Sequence, residues 1–359
     1  MGRAQWLALL VVVVGVGLVV VLRGGGGREE PTGTGSVRTT APPTATVPAP
    51  APPAPPQLQL PARAAFYYPW FPESWVQQGQ DPFTNYVPSR GRYATDVATV
   101  RAQIAEMQAA HITVGIGSWF GQGSLTDQHW PALMQAAQGT GFGWAPYYER
   151  DGIGDPTPQQ IADDLHYFRA RYGAGSNLLQ APGGRMVVFV YNADDPGIPK
   201  GCDTVSRWAQ ARQLLREQHG EGVYVDLKVF PGYRSCPDTP GIDGWHEYGP
   251  NRAEQDFASA PGAGSYAISP GFWKSGVPYG AELFLARDRA RWRRSIAAMQ
   301  RSGAPWQLVA TYNEWGEGTA VESASGCRAP APPGTLCDWS GGGSGSDFLA
   351  DLRDAPVRP

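Results

Sequence analysis

The 359-residue chain is poor in the residues that metal and nucleic-acid chemistry rely on. Its five histidines are dispersed, with no HxH or HExxH pattern, which argues against amidohydrolase and metalloprotease chemistry. Its four cysteines form no CxxC and fall as two pairs far apart in sequence, a poor basis for a zinc site. No serine stands in a GxSxG setting, which counts against an esterase. No Gly-rich phosphate fingerprint follows the first strand-like run, which counts against a doubly wound dinucleotide-binding sheet. Charge of one sign is also missing: 29 basic against 32 acidic residues leave a net charge of -3, and the basic residues are scattered rather than gathered into a stripe. Nucleic acid is therefore not an expected partner, and neither a metal nor a cofactor is expected.

Aromatic surface is what the chain has in quantity, with 13 Trp and 15 Tyr, many at the ends of strand-like runs. Aromatic faces stack on the C–H faces of pyranose rings while carboxylates and amides hold the hydroxyls, so this composition suits a sugar cleft.

Along the chain, Trp6 to Leu22 is an uncharged apolar run bracketed by Arg3 and Arg23. At 1.5 Å per residue it reaches about 25 Å, a little short for a bilayer, yet longer than the usual signal-peptide core and without a small-x-small cleavage site after it. Residues 1–23 are expected to be a signal-anchor or a signal peptide, with the uncleaved anchor favoured. Residues 24–62 turn to Gly and then to Pro, Thr and Ala, a composition that forms no core and makes a semi-rigid polyproline spacer. Together they read as an anchor and stalk holding a folded unit, residues 63–359, on the outer face of a membrane or releasing it as a secreted protein. A monomer is expected.

The folded part alternates short β-rich runs with amphipathic stretches. Strand candidates begin at Ala64, Ile112, Phe142, Met186, Val223, Gly244, Ser265 and Trp306, and the clearest helices are Val97 to Ala110, Pro158 to Tyr172, Val205 to His219 and Leu285 to Arg301, with Asp347 to Arg353 closing. Eight strands with crossover helices predict a single (β/α)8 TIM barrel of the α/β class.

Such barrels place their chemistry at the C-terminal strand ends, and polar and aromatic residues crowd there. Tyr67, Tyr68 and Trp70 end the first strand, Trp119 the second, Tyr148 and Glu149 the third, Tyr191 and Asn192 the fourth, and His246, Glu247 and Tyr248 the sixth. The eighth ends in TYNEWGEG, where Glu314 and Glu317 stand three apart with Asn313 and Trp315 beside them. Side chains three apart on a strand face opposite ways, so both acids reach one centre only if the chain turns, and Gly316 is the residue expected to allow it. Cys202 with Cys236, and Cys327 with Cys337, lie in loops on this same face and fit two disulfides made in an oxidising compartment.

The ordered succession AFYYPWF, GSWF, PYYE, VFVYN, SPGF and TYNEWGEGTAVE covers residues 64 to 323 and resembles the endo-α-mannosidases and endo-α-mannanases of glycoside hydrolase family 99. The last motif is specific; the others count through their order. The resemblance implies a (β/α)8 barrel that cleaves α-mannosidic bonds inside a chain with retention of configuration. It implies that Glu314 deprotonates the sugar 2-hydroxyl, giving a 1,2-anhydro sugar, and that Glu317 is general acid and then base, with its pKa raised by burial. Asn313 would hold a sugar hydroxyl, and Tyr68, Trp119, Glu149 and Tyr191 match cleft positions. Two departures stand out: Gly316 replaces a histidine of typical members, and PYYE replaces a histidine-containing run. A same-fold glycosidase on another glycan, such as an α-glucan or arabinan, and a non-catalytic glycan-binding surface module are the alternatives.

Overall fold

The computed structural model describes residues 54–173, 177–191, 201–230, 232–236, 242–249, 264–280 and 284–358. The expected anchor, and the linker as far as residue 53, lie outside the described residues. Among the described residues no helix is long and apolar enough to cross a membrane.

All eight expected strands form: β1 (Ala62–Tyr67), β2 (Val114–Trp119), β3 (Gly143–Tyr148), β4 (Arg185–Val190), β5 (Val223–Lys228), β6 (Gly244–His246), β7 (Ser265–Ile268) and β8 (Trp306–Val309). They pair in parallel in the order β6-β5-β4-β3-β2-β1-β8-β7. The Ser265 hydroxyl donates to the Trp245 carbonyl at 2.8 Å across the remaining seam between β6 and β7. The architecture is the predicted (β/α)8 barrel.

Side chains alternate between two cores, as the pleat requires. One buried cluster holds Ala64, Phe66, Tyr68, Ile116, Ala145, Tyr147, Val187, Phe189, Ala267 and Leu308 and no helical residue; it fills the barrel lumen. The other joins Tyr67, Trp119, Tyr148, Val188, Val225 and Val309 to helical side chains such as Ile104, Leu133 and Leu165; it is the layer between sheet and helices.

The longer helices among the described residues are α1 (Val97–Ala109), α2 (Leu125–Ala137), α3 (Pro158–Tyr172), α4 (Cys202–His219), α5 (Arg289–Arg301) and α6 (Asp347–Arg353), with a single helical turn at Arg150–Ile153 besides. Side chains of Asp96, Ser124, Thr157, Asp288 and Ser346 cap five of the N-termini, each satisfying a main-chain N–H that the first turn leaves open. α5 starts at Arg289 rather than Leu285, because Leu285 is paired through its main chain with Phe272, 2.9 Å each way. Helix α2 contains Pro131, which lacks an N–H to offer the Asp127 carbonyl one turn back. The Tyr172 hydroxyl from α3 donates to that carbonyl at 2.8 Å instead. Between β5 and β6 the described residues carry only the single turn Tyr233–Ser235.

At the N-terminal end of β1, the buried Arg63 guanidinium donates to the carbonyls of Ala110, Leu352 and Ala355 and to Gln307 Oε1, tying α1, α6 and β8 to the barrel floor. Disulfides join Cys202 to Cys236 and Cys327 to Cys337, with Cα atoms 5.1 and 5.0 Å apart, as the sequence predicted.

Candidate active site

The segment after β8 leaves the sheet and folds back on itself. Thr311 N–H donates to the Thr319 carbonyl at 3.1 Å and Val321 N–H to the Thr311 carbonyl at 3.0 Å, so residues 312–318 are a loop held at its base. Within it, Gly318 N–H donates to Trp315 O and Thr319 N–H to Glu314 O, both at 3.2 Å. This turn carries Glu317 round until its main-chain N–H donates to Glu314 Oε1 at 3.1 Å. The charge of Glu317 also bears on the Glu314 carboxyl. Gly316, the residue expected to allow the turn, lies inside it without a positive φ, whereas Gly318, just past Glu317, has φ +66. Gly316 serves close packing: a Cβ there would lie 2.6 Å from the Phe83 ring and 3.0 Å from Glu314 Oε1. Behind the loop, the buried Arg287 donates to the carbonyls of Gly318 (2.7 Å) and Ala320 (2.9 Å), with its guanidinium 3.9 Å from the centre of the Trp339 ring.

Glu314 is 5% exposed, and burial, followed by the charge of Glu317, holds its carboxyl well above the ordinary range; the main-chain N–H groups of Glu317 and Gly316 act in the opposite sense. Glu149, at the end of β3, is 6% exposed, and its Oε1 has no hydrogen-bond partner. Burial pushes it up to about 8; nearby Ser118 pulls the other way without reaching ordinary hydrogen-bond geometry, and the charge of Glu317 adds to the rise. Glu317 is half-buried. Three carboxyl groups thus share one low-dielectric space and cannot all ionise without mutual cost.

Tyrosines line that space. Tyr68 donates its hydroxyl hydrogen to the Tyr248 hydroxyl oxygen at 2.6 Å, and the Tyr147 ring meets those of Tyr191 and Tyr248 at 5.7 and 5.8 Å. Below them, His246 Nδ1 lies 2.8 Å from Asp226 Oδ1 and Nε2 3.3 Å from the Tyr147 hydroxyl. Burial raises the Tyr68, Tyr147 and Tyr248 phenols well above their ordinary value, so they remain neutral donors. The Lys228 ammonium lies 5.5 Å from the Tyr191 ring centre. Among the described residues no group of His, Cys, Asp or Glu could hold a metal ion.

Five expected site residues point elsewhere. Tyr67, Trp119 and Tyr148 occupy the sheet–helix layer, where their polar atoms donate to Gln103 (2.6 Å), Asp127 (2.9 Å) and Asp164 (2.8 Å). Asn313 is sealed: its Oδ1 accepts from Tyr68 N–H at 2.7 Å and its Nδ2 donates to Tyr68 O at 3.0 Å, so it fixes the end of β1 rather than presenting an amide to a ligand. Trp315 turns away from the lumen, donating its indole N–H to the Tyr93 hydroxyl (3.1 Å) and to Glu322 Oε2 (3.2 Å). Tyr68, Glu149, Tyr191, His246 and Tyr248 face the lumen with Glu314 and Glu317, while Asn192 lies outside the described residues. The sequence reading missed Tyr147, Asp226 and Lys228. Period-two alternation counted back from Glu149 would have selected Tyr147 over Tyr148.

No family model matches the chain. The glycoprotein endo-alpha-1,2-mannosidase-like protein of Danio rerio is 22% identical over 68% of this chain and 60% of its own length, so the chain spans about three fifths of that relative. The solved GH99 endo-alpha-mannosidase from Bacteroides thetaiotaomicron superposes with a TM-score of 0.63 at 18% identity, covering 82% of this chain and 96% of that one. Its complex with bis-tris-propane gives 0.62 at the same identity and coverage. The barrel is thus shared with a GH99 endo-alpha-mannosidase and the sequence is similar to a mannosidase-like protein, in agreement with the resemblance carried by the ordered motifs.

Proposed function

We propose that this chain is a retaining, endo-acting glycoside hydrolase on an α-mannan-like extracellular or envelope polysaccharide. The observation that carries the proposal is the turn that brings Glu314 and Glu317 together, N–H to carboxylate at 3.1 Å, in a lumen walled by tyrosines. Similarity to the mannosidase-like relative supports it.

In this reading Glu314 takes the proton of the sugar 2-hydroxyl as O2 attacks C1. The glycosidic C1–O bond breaks, and Glu317 gives its proton to the departing oxygen. Glu317, now ionised, takes a proton from water, which opens the 1,2-anhydro ring at C1 while Glu314 returns its proton to O2. Two inversions at C1 give net retention. Burial raises Glu314's proton affinity, so its role as base requires that it be the one carboxyl of the three that ionises, with Glu317 and Glu149 keeping their protons. Glu149, protonated at neutral pH, is suited to donate to a sugar hydroxyl beside Glu317.

The Phe83 ring fills the room a side chain at position 316 would need, so this cleft lacks the histidine that typical members of the resembling family place there; an α-glucan or arabinan is the second reading. Residues 1–23 as anchor and the following stalk would hold a monomeric barrel at the outer face of the membrane; two disulfides are consistent with an oxidising compartment.

The test compares wild type, Glu314→Gln and Glu317→Gln on α-mannans, α-glucans and arabinans, following products and anomeric configuration. Wild type should release products of retained configuration, and each variant should lose about 10²–10⁴-fold in rate. A wild-type chain that binds these glycans and cleaves none would make it a binding module.

A further inference from the structure

We infer that a second sugar-binding position lies beside the acid pair, on the loop that follows β7, built around Tyr279, Phe284 and Lys274. It rests on the glycosidase reading above and names where a further residue of the polysaccharide sits. The loop is fastened to the acid turn: Trp273 N–H donates to the Glu317 carbonyl at 2.9 Å and Ser275 N–H to the Gly316 carbonyl at 2.7 Å. Asn85 Nδ2 donates to the Trp273 carbonyl at 3.1 Å from the other side.

From this fixed base the chain runs to Tyr279, which at 60% is the most exposed large hydrophobic side chain among the described residues. Phe284 meets the Tyr279 ring at 5.0 Å and 85°, a T-shaped contact that holds the ring while leaving most of it open to solvent. Trp273, Lys274, Tyr279 and Phe284 line one shallow depression. Gly276, at φ +78, lets Gln78 and Gln80 close in, for a Cβ there would stand 2.8 Å from Gln80 Nε2 and 3.1 Å from Gln78 Oε1.

Gln78 itself sits at φ +50, uncommon for a residue with a side chain, at the tip of a tight turn closed by Gln77 N–H to Gln80 O (3.2 Å) and Gln80 N–H to Gln77 O (2.8 Å). An open aromatic face with a lysine in the same depression suits a neutral sugar ring: the ring's C–H face takes the aromatic and a hydroxyl takes the ammonium. The two main-chain bonds fasten the base of this loop to the acid turn, which sets Tyr279 on the same end of the barrel as the acids.

The test uses the full chain, Tyr279→Ala and Tyr279→Phe. Affinity electrophoresis through gels containing α-mannan, α-glucan or arabinan is paired with hydrolysis of a long and a minimal oligosaccharide of the glycan that wild type cleaves. Tyr279→Ala should bind polysaccharide about tenfold more weakly and show a raised KM on the long substrate only, while Tyr279→Phe retains wild-type binding. Equal retardation of wild type and Tyr279→Ala, or an equal loss on both substrates, overturns the inference while the hydrolase reading stands. Retardation that depends on Tyr279 without any hydrolysis upholds the position and removes the hydrolase reading. A wild type retarded by none of the three glycans overturns the inference.

Discussion

The residues in the lumen are held in unequal protonation states by their surroundings, and this gives Glu149 a measurable signature. Its carboxyl is raised from an ordinary 4.5 to about 8, so the folded chain binds this proton more tightly than the unfolded one. The stability tied to it is full below about pH 4.5 and is lost as pH rises toward 8. Glu149→Gln removes the ionisable group and should gain stability relative to wild type by about 4 kcal/mol between pH 4.5 and 8, measured by denaturant unfolding at both ends. A difference that stays flat with pH would show that Glu149 titrates normally. At this scale the sequence made the right positions visible but not the way they face. Tyr67 beside Tyr68, and Tyr147 beside Tyr148, are adjacent aromatics with identical composition signals, and only strand parity sends one of each inward. The packing demand on Gly316 was hidden for a similar reason, since it comes from Phe83, distant in sequence.

Among the elements, the strands were legible because buried parallel strands are continuous apolar runs ending in turn residues. Helix α2 was not singled out, because Pro131 interrupts its pattern and the partner that compensates comes from another helix. That compensation is testable. Tyr172→Phe removes the hydroxyl that donates to the Asp127 carbonyl and lies 2.9 Å from Asp127 Oδ1, leaving a buried acceptor unsatisfied. It should cost about 1–3 kcal/mol of unfolding free energy in denaturant titration, with glycan cleavage at low denaturant unchanged. No loss of stability would mean that water satisfies the carbonyl as well as the phenol does. The Asn313 clamp on Tyr68 is the same kind of feature, in which a side chain that reads as a ligand contact serves the main chain of a neighbouring strand.

For the whole molecule, barrel closure and the two disulfides set what the fold withstands. Cys202 and Cys236 enclose 34 residues, and a cross-link of that span should stabilise by about 3–4 kcal/mol through the restricted unfolded chain. Replacing both with alanine should lower the unfolding midpoint accordingly in calorimetry; an unchanged midpoint would assign this link no role in stability. The barrel itself could be counted from the strand candidates, whereas its seam could not, because among the described residues β6 and β7 meet through the Ser265 hydroxyl rather than a ladder. The strand order carries one more consequence. The acid pair follows β8, which pairs with β1 across 244 residues of sequence and with β7 on its other side. A chain interrupted before Trp306 would keep open edges on β1 and β7 and carry neither acid. The strand that seals the sheet is thus also the strand that leads into the two carboxylates.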